Sequence, residues 1–358
     1  LGIVPYDCVE DFTVGRDSEL AVIEDWLETQ DHNTLFVAGG YGSGKTHLLS
    51  HVHSSATKRK FATAWISMNP GESPFSQPKR VFAGLAQSLR FLSPTNGQVC
   101  GFRELVRLGL EQGALGDNVY FKWLHGAPSE RLWEWIECRE RASRPFEPEQ
   151  LPSGHRYNRH WLVPHLYDQC TAANIYCHLL SALGHASLAA GLRGLILLFD
   201  EAESVDAPTT AHRFEKGHNF LEALVRTADG DTGLLKPAHE VRSLISAGNA
   251  PLVSFLYRCP PGLKLLFAVT DRAVLARSRF AALCRVLDLQ PLSEDAEKLV
   301  RKRIRTLYSQ AYAGRPTARP GAVEFAPDGF RSSTRLMVKR VVEGLDLARF
   351  STAETMGA

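Results

Sequence analysis

Two clusters of residues carry potential chemistry. Gly39-Gly40-Tyr41-Gly42-Ser43-Gly44-Lys45-Thr46 fits G-x-x-x-x-G-K-[ST] at every defined position, the Walker A or P-loop pattern. Glycines let consecutive backbone N–H groups turn inward around a polyphosphate. The helix that follows, continuing through His47, aims its positive end at the same anion. Lys45 can reach β- and γ-phosphates, and the Thr46 hydroxyl can ligate Mg²⁺. The second cluster is Asp200-Glu201, which closes the apolar run Leu195-Ile196-Leu197-Leu198-Phe199 in the Walker B manner. There Asp200 would hold Mg²⁺ through water, and Glu201 would orient or deprotonate an attacking water. The bland alternative, a strand with solvated acids at its end, loses ground once a phosphate loop precedes it in the same chain.

These residues need strands to present them. Thr34–Ala38 is a short apolar run that reads as a buried strand, so strand, glycine loop and helix follow in the order the motif requires. Phe61–Met68 reads as a second strand. Leu195–Phe199, Leu263–Val269 and Arg285–Leu289 read as three more. Asp17-Ser18-Glu19 opens an amphipathic helix on Leu20, Ile23, Trp26 and Leu27. Residues 75 to about 190 are long for one connection. A helix over Val81–Phe91, others near Leu105 and Leu132, a proline-rich break at 145–154 and a long helix from Leu166 to Leu192 make this a helical insertion. Pro291-Leu292-Ser293-Glu294-Asp295 caps a helix, 313–329 reads as a loop, and Ser332–Leu347 is a final helix. The expected fold is α/β, a five-stranded parallel sheet wrapped by helices. Residues 1–290 form the core and 291–358 a helical lid.

Composition excludes little beyond this. The 358 residues carry a net charge of +2, and no apolar run approaches a membrane span. Leu1–Glu10 lacks the basic start and apolar core of a signal sequence, so a cytoplasmic protein is expected. Seven scattered cysteines contain no Cys-x-x-Cys and read as free thiols. His155, His160 and His165 recur every five residues, a spacing that places them on no common helical face. No nucleophile elbow or dinucleotide fingerprint stands out.

The order of these elements resembles the AAA+ branch of P-loop ATPases, near its replication-initiator and STAND-like members. The resemblance implies ATP and Mg²⁺ as ligands. It implies that Gly15-Arg16 packs by the adenine and that Thr270, ending the fourth strand, is sensor-1, with Asp271 the neighbouring possibility. It makes Arg335 a lid arginine directed at the γ-phosphate and places an arginine finger at Arg277 or Arg279. A narrower resemblance is to the ATP-binding proteins of BREX-type phage-defence systems. It rests on Tyr41 inside the loop, Ile175-Tyr176, Gly194-Leu195, Leu198–Glu203, Pro261-Gly262-Leu263, Phe267–Thr270, Leu289–Ser293 and Tyr308 with Ala311-Tyr312.

The resemblance implies a Mg²⁺-dependent ATPase in a defence complex, associating with itself or with other complex proteins, and no membrane. The alternative is a nucleotide-gated switch or scaffold with little turnover. Arg139, Arg141, Arg144, Arg156 and Arg159, with Arg301-Lys302-Arg303 and Arg305, form two basic clusters that suit DNA phosphates. Solvated helix faces or inter-subunit contacts explain them equally well.

Overall fold

The computed structural model describes residues 9–72, 74–139, 166, 173–208, 210–237, 240–241, 253–276, 279–312 and 334–355. His155, His160, His165, Arg141, Arg144, Arg156, Arg159 and Arg277 lie outside these residues, as does the expected loop over 313–329.

The strands are β1 (Thr34–Ala38), β2 (Ala62–Ser67), β3 (Phe91–Leu92), β4 (Val99–Cys100), β5 (Leu195–Asp200), β6 (Leu263–Val269) and β7 (Cys284–Asp288). Five of them form one sheet in the order β2-β5-β6-β1-β7, and every pairing in it is parallel. The chain leaves β1 for the far edge at β2, returns through β5 and β6, and then places β7 on the other side of β1. The switch point therefore lies beside β1, where a crevice opens at the strands' carboxyl ends.

Period two sorts each strand between two cores. After the short α1 (Val9–Phe12) come α2 (Asp17–Glu28) and α3 (Lys45–Lys58), whose Ile23, Trp26, Leu27, Leu48, Leu49 and Val52 face Leu35, Val37, Ile196, Leu198, Leu266 and Ala268. Phe36, Leu197, Phe199, Leu265, Phe267 and Val269 face the larger core, built with α4 (Pro78–Ser88), α5 (Phe102–Glu111), the helix Ala173–Ala189 and the helix Ala211–Ala228. Burial on both faces explains why these strands read as continuous apolar runs.

An aromatic row crosses this larger core just below the carboxyl ends. Phe36, Phe267 and Phe199 are register neighbours on β1, β6 and β5. Their ring centroids lie 4.8 and 4.6 Å apart, nearly parallel. Phe75 extends the row, 6.0 Å from Phe199. Such pairs contribute roughly 0.5–1.5 kcal/mol each beyond area burial. The row fixes the strand positions immediately before Asp200 and three before Thr270.

The helices Glu294–Ala311 and Thr334–Thr355 pack on each other through Val300, Ile304, Met337 and Val341. Phe12 and Val14 from the chain start join that cluster. Ser293 caps the first of these helices, its hydroxyl accepting from the Ala296 N–H at 3.2 Å.

Several expectations need correction. The helix through Val81 stops at Ser88, and Phe91 lies in the antiparallel β3-β4 ribbon. Arg90 there exchanges two 2.8 Å backbone hydrogen bonds with Thr63, so the chain is drawn extended along the β2 edge. Among the described residues the long helix runs Ala173–Ala189, short of Leu192, and Leu166 is buried and not helical. The helices Val9–Phe12 and Ala211–Ala228 were not read from the sequence at all.

Candidate active site

The glycine loop leaves β1 and is stitched to both neighbours of that strand. Gly39 N–H donates to Val269 O at 3.1 Å, and Leu289 N–H donates to Ala38 O at 2.7 Å. Gly42 and Gly44 take φ of +74° and +103°, where an L side chain is strained. The turn releases the chain into α3 at Lys45. The Lys45 ammonium donates to the Gly39 and Gly40 carbonyls at 2.5 and 3.2 Å. Burial holds its pKa below the ordinary lysine range, opposed by the charges of Glu203, Asp200 and Glu201.

Alternation along β5 turns Phe199 into the large core and the next residue, Asp200, towards α3. Asp200 is 6% exposed and accepts from the Thr46 hydroxyl and from the Glu201 N–H, the latter at 3.1 Å. Burial raises its pKa against these two donors. A hydroxyl and a buried carboxylate beside a phosphate loop form a hard oxygen donor set, which suits Mg²⁺. Glu201 adopts a left-handed backbone, φ +56° and ψ +38°, unusual for a residue with a side chain. Its carboxylate lies 3.5 Å from the Ser67 hydroxyl, and Ser67 is the register partner of Asp200.

Thr270 follows β6 directly, and its hydroxyl donates to the carboxylate of Glu203. The other Glu203 oxygen is buried and has no hydrogen-bond partner among the described residues. Glu203 stands in the acidic run after β5, yet sequence reasoning gave it no role. Its signal was the third acid in Asp200-Glu201-Ala202-Glu203, which a 3-10 turn over Ala202–Asp206 brings back beneath the strand ends.

Arg335 reaches the loop from the final helix. Its backbone N–H donates to Gly42 O at 3.2 Å, its guanidinium donates to the Tyr41 hydroxyl at 3.0 Å, and it lies 5.7 Å from the Tyr41 ring centre. Tyr41 itself is 77% exposed. Arg16 sits behind the loop, not free beside it. It pairs with Glu19 at 2.7 Å and donates to Gln290 O at 2.5 Å and to Ser43 O at 2.9 Å. One buried guanidinium thereby ties the chain start, the loop and the lead-in to the lid. Gly15 fits the same junction: with φ +66°, a Cβ there would lie 2.4 Å from Ala296 Cβ. His47 faces the chain start, its Nε2 3.0 Å from the Thr13 hydroxyl, and burial lowers its pKa to about 4.

The structure thus brings Gly39–Thr46, Asp200, Glu201, Thr270 and Arg335 to one crevice, with Arg16 and His47 behind it. Arg279 is exposed, after β6. Of the basic clusters, Arg139 pairs with Glu137 at 2.8 Å, Arg301 with Glu297 at 3.7 Å and Arg303 with Asp11 at 3.8 Å. Among the described residues, no helix is long and apolar enough to cross a membrane, and no three His, Cys, Asp or Glu group as a metal site.

Residues 1–105 match the family model of the BREX system ATP-binding protein BrxC/D. The motifs from Ile175 onward that resemble the same family lie beyond the matched stretch. No curated protein matches the chain. Among solved structures, the chain is similar to a crystal structure of a DNA replication initiation factor. The TM-score is 0.40 at 11% identity, covering 98% of this chain and 67% of that one.

Proposed function

We propose that this chain is an AAA+-type ATPase that binds ATP with Mg²⁺, hydrolyses it, and serves a BREX-type phage-defence complex acting with DNA. The observation that carries the reading is the convergence of Lys45, Thr46, Asp200 and Glu201 at the carboxyl ends of β1 and β5, the two parallel strands that flank β6. The match of the first 105 residues to an ATP-binding family supports the nucleotide.

Inward N–H groups of Gly42–Thr46 and the Lys45 ammonium would bind the β- and γ-phosphates. Thr46 and Asp200 would hold Mg²⁺, which when bound neutralises charge on those phosphates. Glu201 would align water for attack on the γ-phosphorus and take its proton as the bond to the β–γ bridging oxygen breaks. Thr270 would donate a hydrogen bond and Arg335 positive charge to the same phosphoryl group. Arg279 or Arg277 of a neighbouring copy would complete the site. Residues 1–290 act as the core and 291–358 as the lid, in a self-associating cytoplasmic protein.

Calorimetric titration with Mg-ATP tests the binding step. Wild type binds, and Lys45→Ala abolishes the heat while keeping the wild-type circular dichroism. Equal binding by both would remove the reading.

A second reading is favoured by one contact, the docking of Arg335 on Tyr41 and Gly42. Nucleotide in the loop would then bias the lid and so gate partner binding, with little turnover. A DNA-stimulated ATPase rate supports the enzyme. A nucleotide-dependent change in assembly size without turnover supports the switch.

A further inference from the structure

A second polar cavity, of about 370 Å³, lies away from the glycine loop. Ser76, Gln77, Arg80, His212, Arg213 and Lys216 line it. We propose that this cavity holds a backbone phosphate of DNA, contacted without regard to base sequence. The proposal deepens the DNA part of the reading above and does not depend on ATP hydrolysis.

Four observations carry it. First, the lining holds three permanent cations and a histidine, and no carboxylate. Second, the cations sit where helix dipoles make them unfavourable. Arg80 is in the first turn of α4, and His212, Arg213 and Lys216 are in the opening turns of the helix Ala211–Ala228. Neither first turn carries an acid, in contrast to the three acids that open the helix Glu294–Ala311. Two positive helix ends together with basic side chains form a region that an anion would relieve. Third, Ser76 is only 5% exposed and lines the cavity, so its hydroxyl is held at the wall where it can donate to an anion. Fourth, no phenyl, phenol or indole ring and no aliphatic side chain lines the cavity. Nothing there stacks or encloses a base, so the recognised element is the phosphate.

The walls are built rigidly. Phe75, next to Ser76, is buried in the aromatic row against Phe199 and Phe220. A Cβ on Gly217 would come within 3.4 Å of Phe75 and 3.5 Å of Ser76 N, so the two walls are in close contact. The nearby acid Asp206 pairs with His218 at 3.1 Å, while Glu215 is exposed and outside the lining. Arg80 donates to the Gly71 and Glu72 carbonyls only at 3.4 and 3.5 Å. His212 and Arg213 are exposed at the mouth, so a polymer can lie across it.

The test uses a fluorescein-labelled DNA oligonucleotide, nucleotide-free protein and fluorescence anisotropy across a salt series. Wild type is expected to bind at low salt. Arg213→Ala with Lys216→Ala should weaken binding at least ten-fold and lower the slope of log K on log salt by about 0.9, the value for one lost phosphate. Ser76→Ala should weaken binding several-fold, and Arg213→Glu more than Arg213→Ala. Each variant is checked for wild-type melting. Absence of DNA binding by wild type overturns the proposal. Unchanged affinity in the double variant also overturns it, as does an equal loss from the control pair Arg301→Ala with Lys302→Ala. Displacement of the oligonucleotide by inorganic phosphate at millimolar concentration would assign the cavity to a free anion, and displacement by polyglutamate alone would assign it to an acidic peptide. Either result refutes the DNA assignment. Because nucleotide is absent, failure here leaves the ATPase reading standing, and failure of ATP hydrolysis leaves this site standing.

Discussion

Replacing Glu203 by Gln alters one charge and almost no shape, and the surroundings of Glu203 set the expected size of the effect. One carboxylate oxygen accepts from the Thr270 hydroxyl, and the other is buried without a partner. A hydrogen bond to a charged group contributes about 1.5–3 kcal/mol, and a neutral one about 0.5–1.5 kcal/mol. Glu203→Gln should therefore lose roughly 1 kcal/mol of its interaction with Thr270. The single variant will not display that number cleanly. It also removes a half-buried charge, which is stabilising, and with it the attraction of that charge for Lys45, which is destabilising. A double-mutant cycle with Thr270→Val cancels those other terms. Urea unfolding of wild type, both singles and the double should give a coupling near 1 kcal/mol, about five-fold in an equilibrium constant. Fluorescent ATP-analogue binding should tighten in Glu203→Gln, because one negative charge has left a site that must admit a polyphosphate. Additivity within about 0.3 kcal/mol would show that the Glu203–Thr270 hydrogen bond adds nothing. Weaker analogue binding would refute the electrostatic reasoning.

Other outcomes follow from the same geometry. Gly15→Ala should destabilise by about 2–4 kcal/mol, combining a left-handed backbone with a Cβ 2.4 Å from Ala296 Cβ. Gly40→Ala, whose Cβ would meet nothing within 4 Å, should be much milder in the same urea series, and equal losses would contradict the packing argument. Burial holds His47, His53 and His178 near 4, against 6.5 in an unfolded chain. The unfolded state then binds more protons between these values, so stability is complete above pH 6.5 and falls as pH drops toward 4. His178, neutral between Asn118 and the Ser254 carbonyl, accounts for one proton of that slope, up to about 1.4 kcal/mol per pH unit. His178→Gln should flatten the urea midpoint against pH by that amount, and an unchanged slope would show that His178 does not contribute.

The sheet was legible because its strands are buried on both faces, so β1, β5 and β6 stand out as unbroken apolar runs. The glycine loop and the two acids after Phe199 were legible because their chemistry fixes residue type as well as spacing. Less was readable where the partner is distant in sequence. Arg16 matches a motif, but its work on Ser43 O and Gln290 O exists only once the chain start and the lid lead-in meet. Glu203 acquires its partner from β6, across the sheet. The helix Ala211–Ala228 was missed because His212, Arg213, Glu215, Lys216, His218 and Asn219 dilute its apolar stripe, and Gly217 interrupts it. That glycine is where the helix presses on Phe75 and Ser76, and the basic residues are those of the second cavity. Sequence charge runs pointed elsewhere, to Arg139, Arg301 and Arg303, each of which pairs with a nearby acid.

Phosphate release from Mg-ATP by wild type and Glu201→Gln, with ATP binding measured on the same samples, tests the central claim most directly. A general base contributes about 10²–10⁴-fold, so turnover should fall by at least a hundred-fold in Glu201→Gln while ATP still binds. Wild-type turnover that survives this substitution, or a wild type that binds ATP without ever releasing phosphate, would contradict the assignment of Glu201 and of the chain as an ATPase.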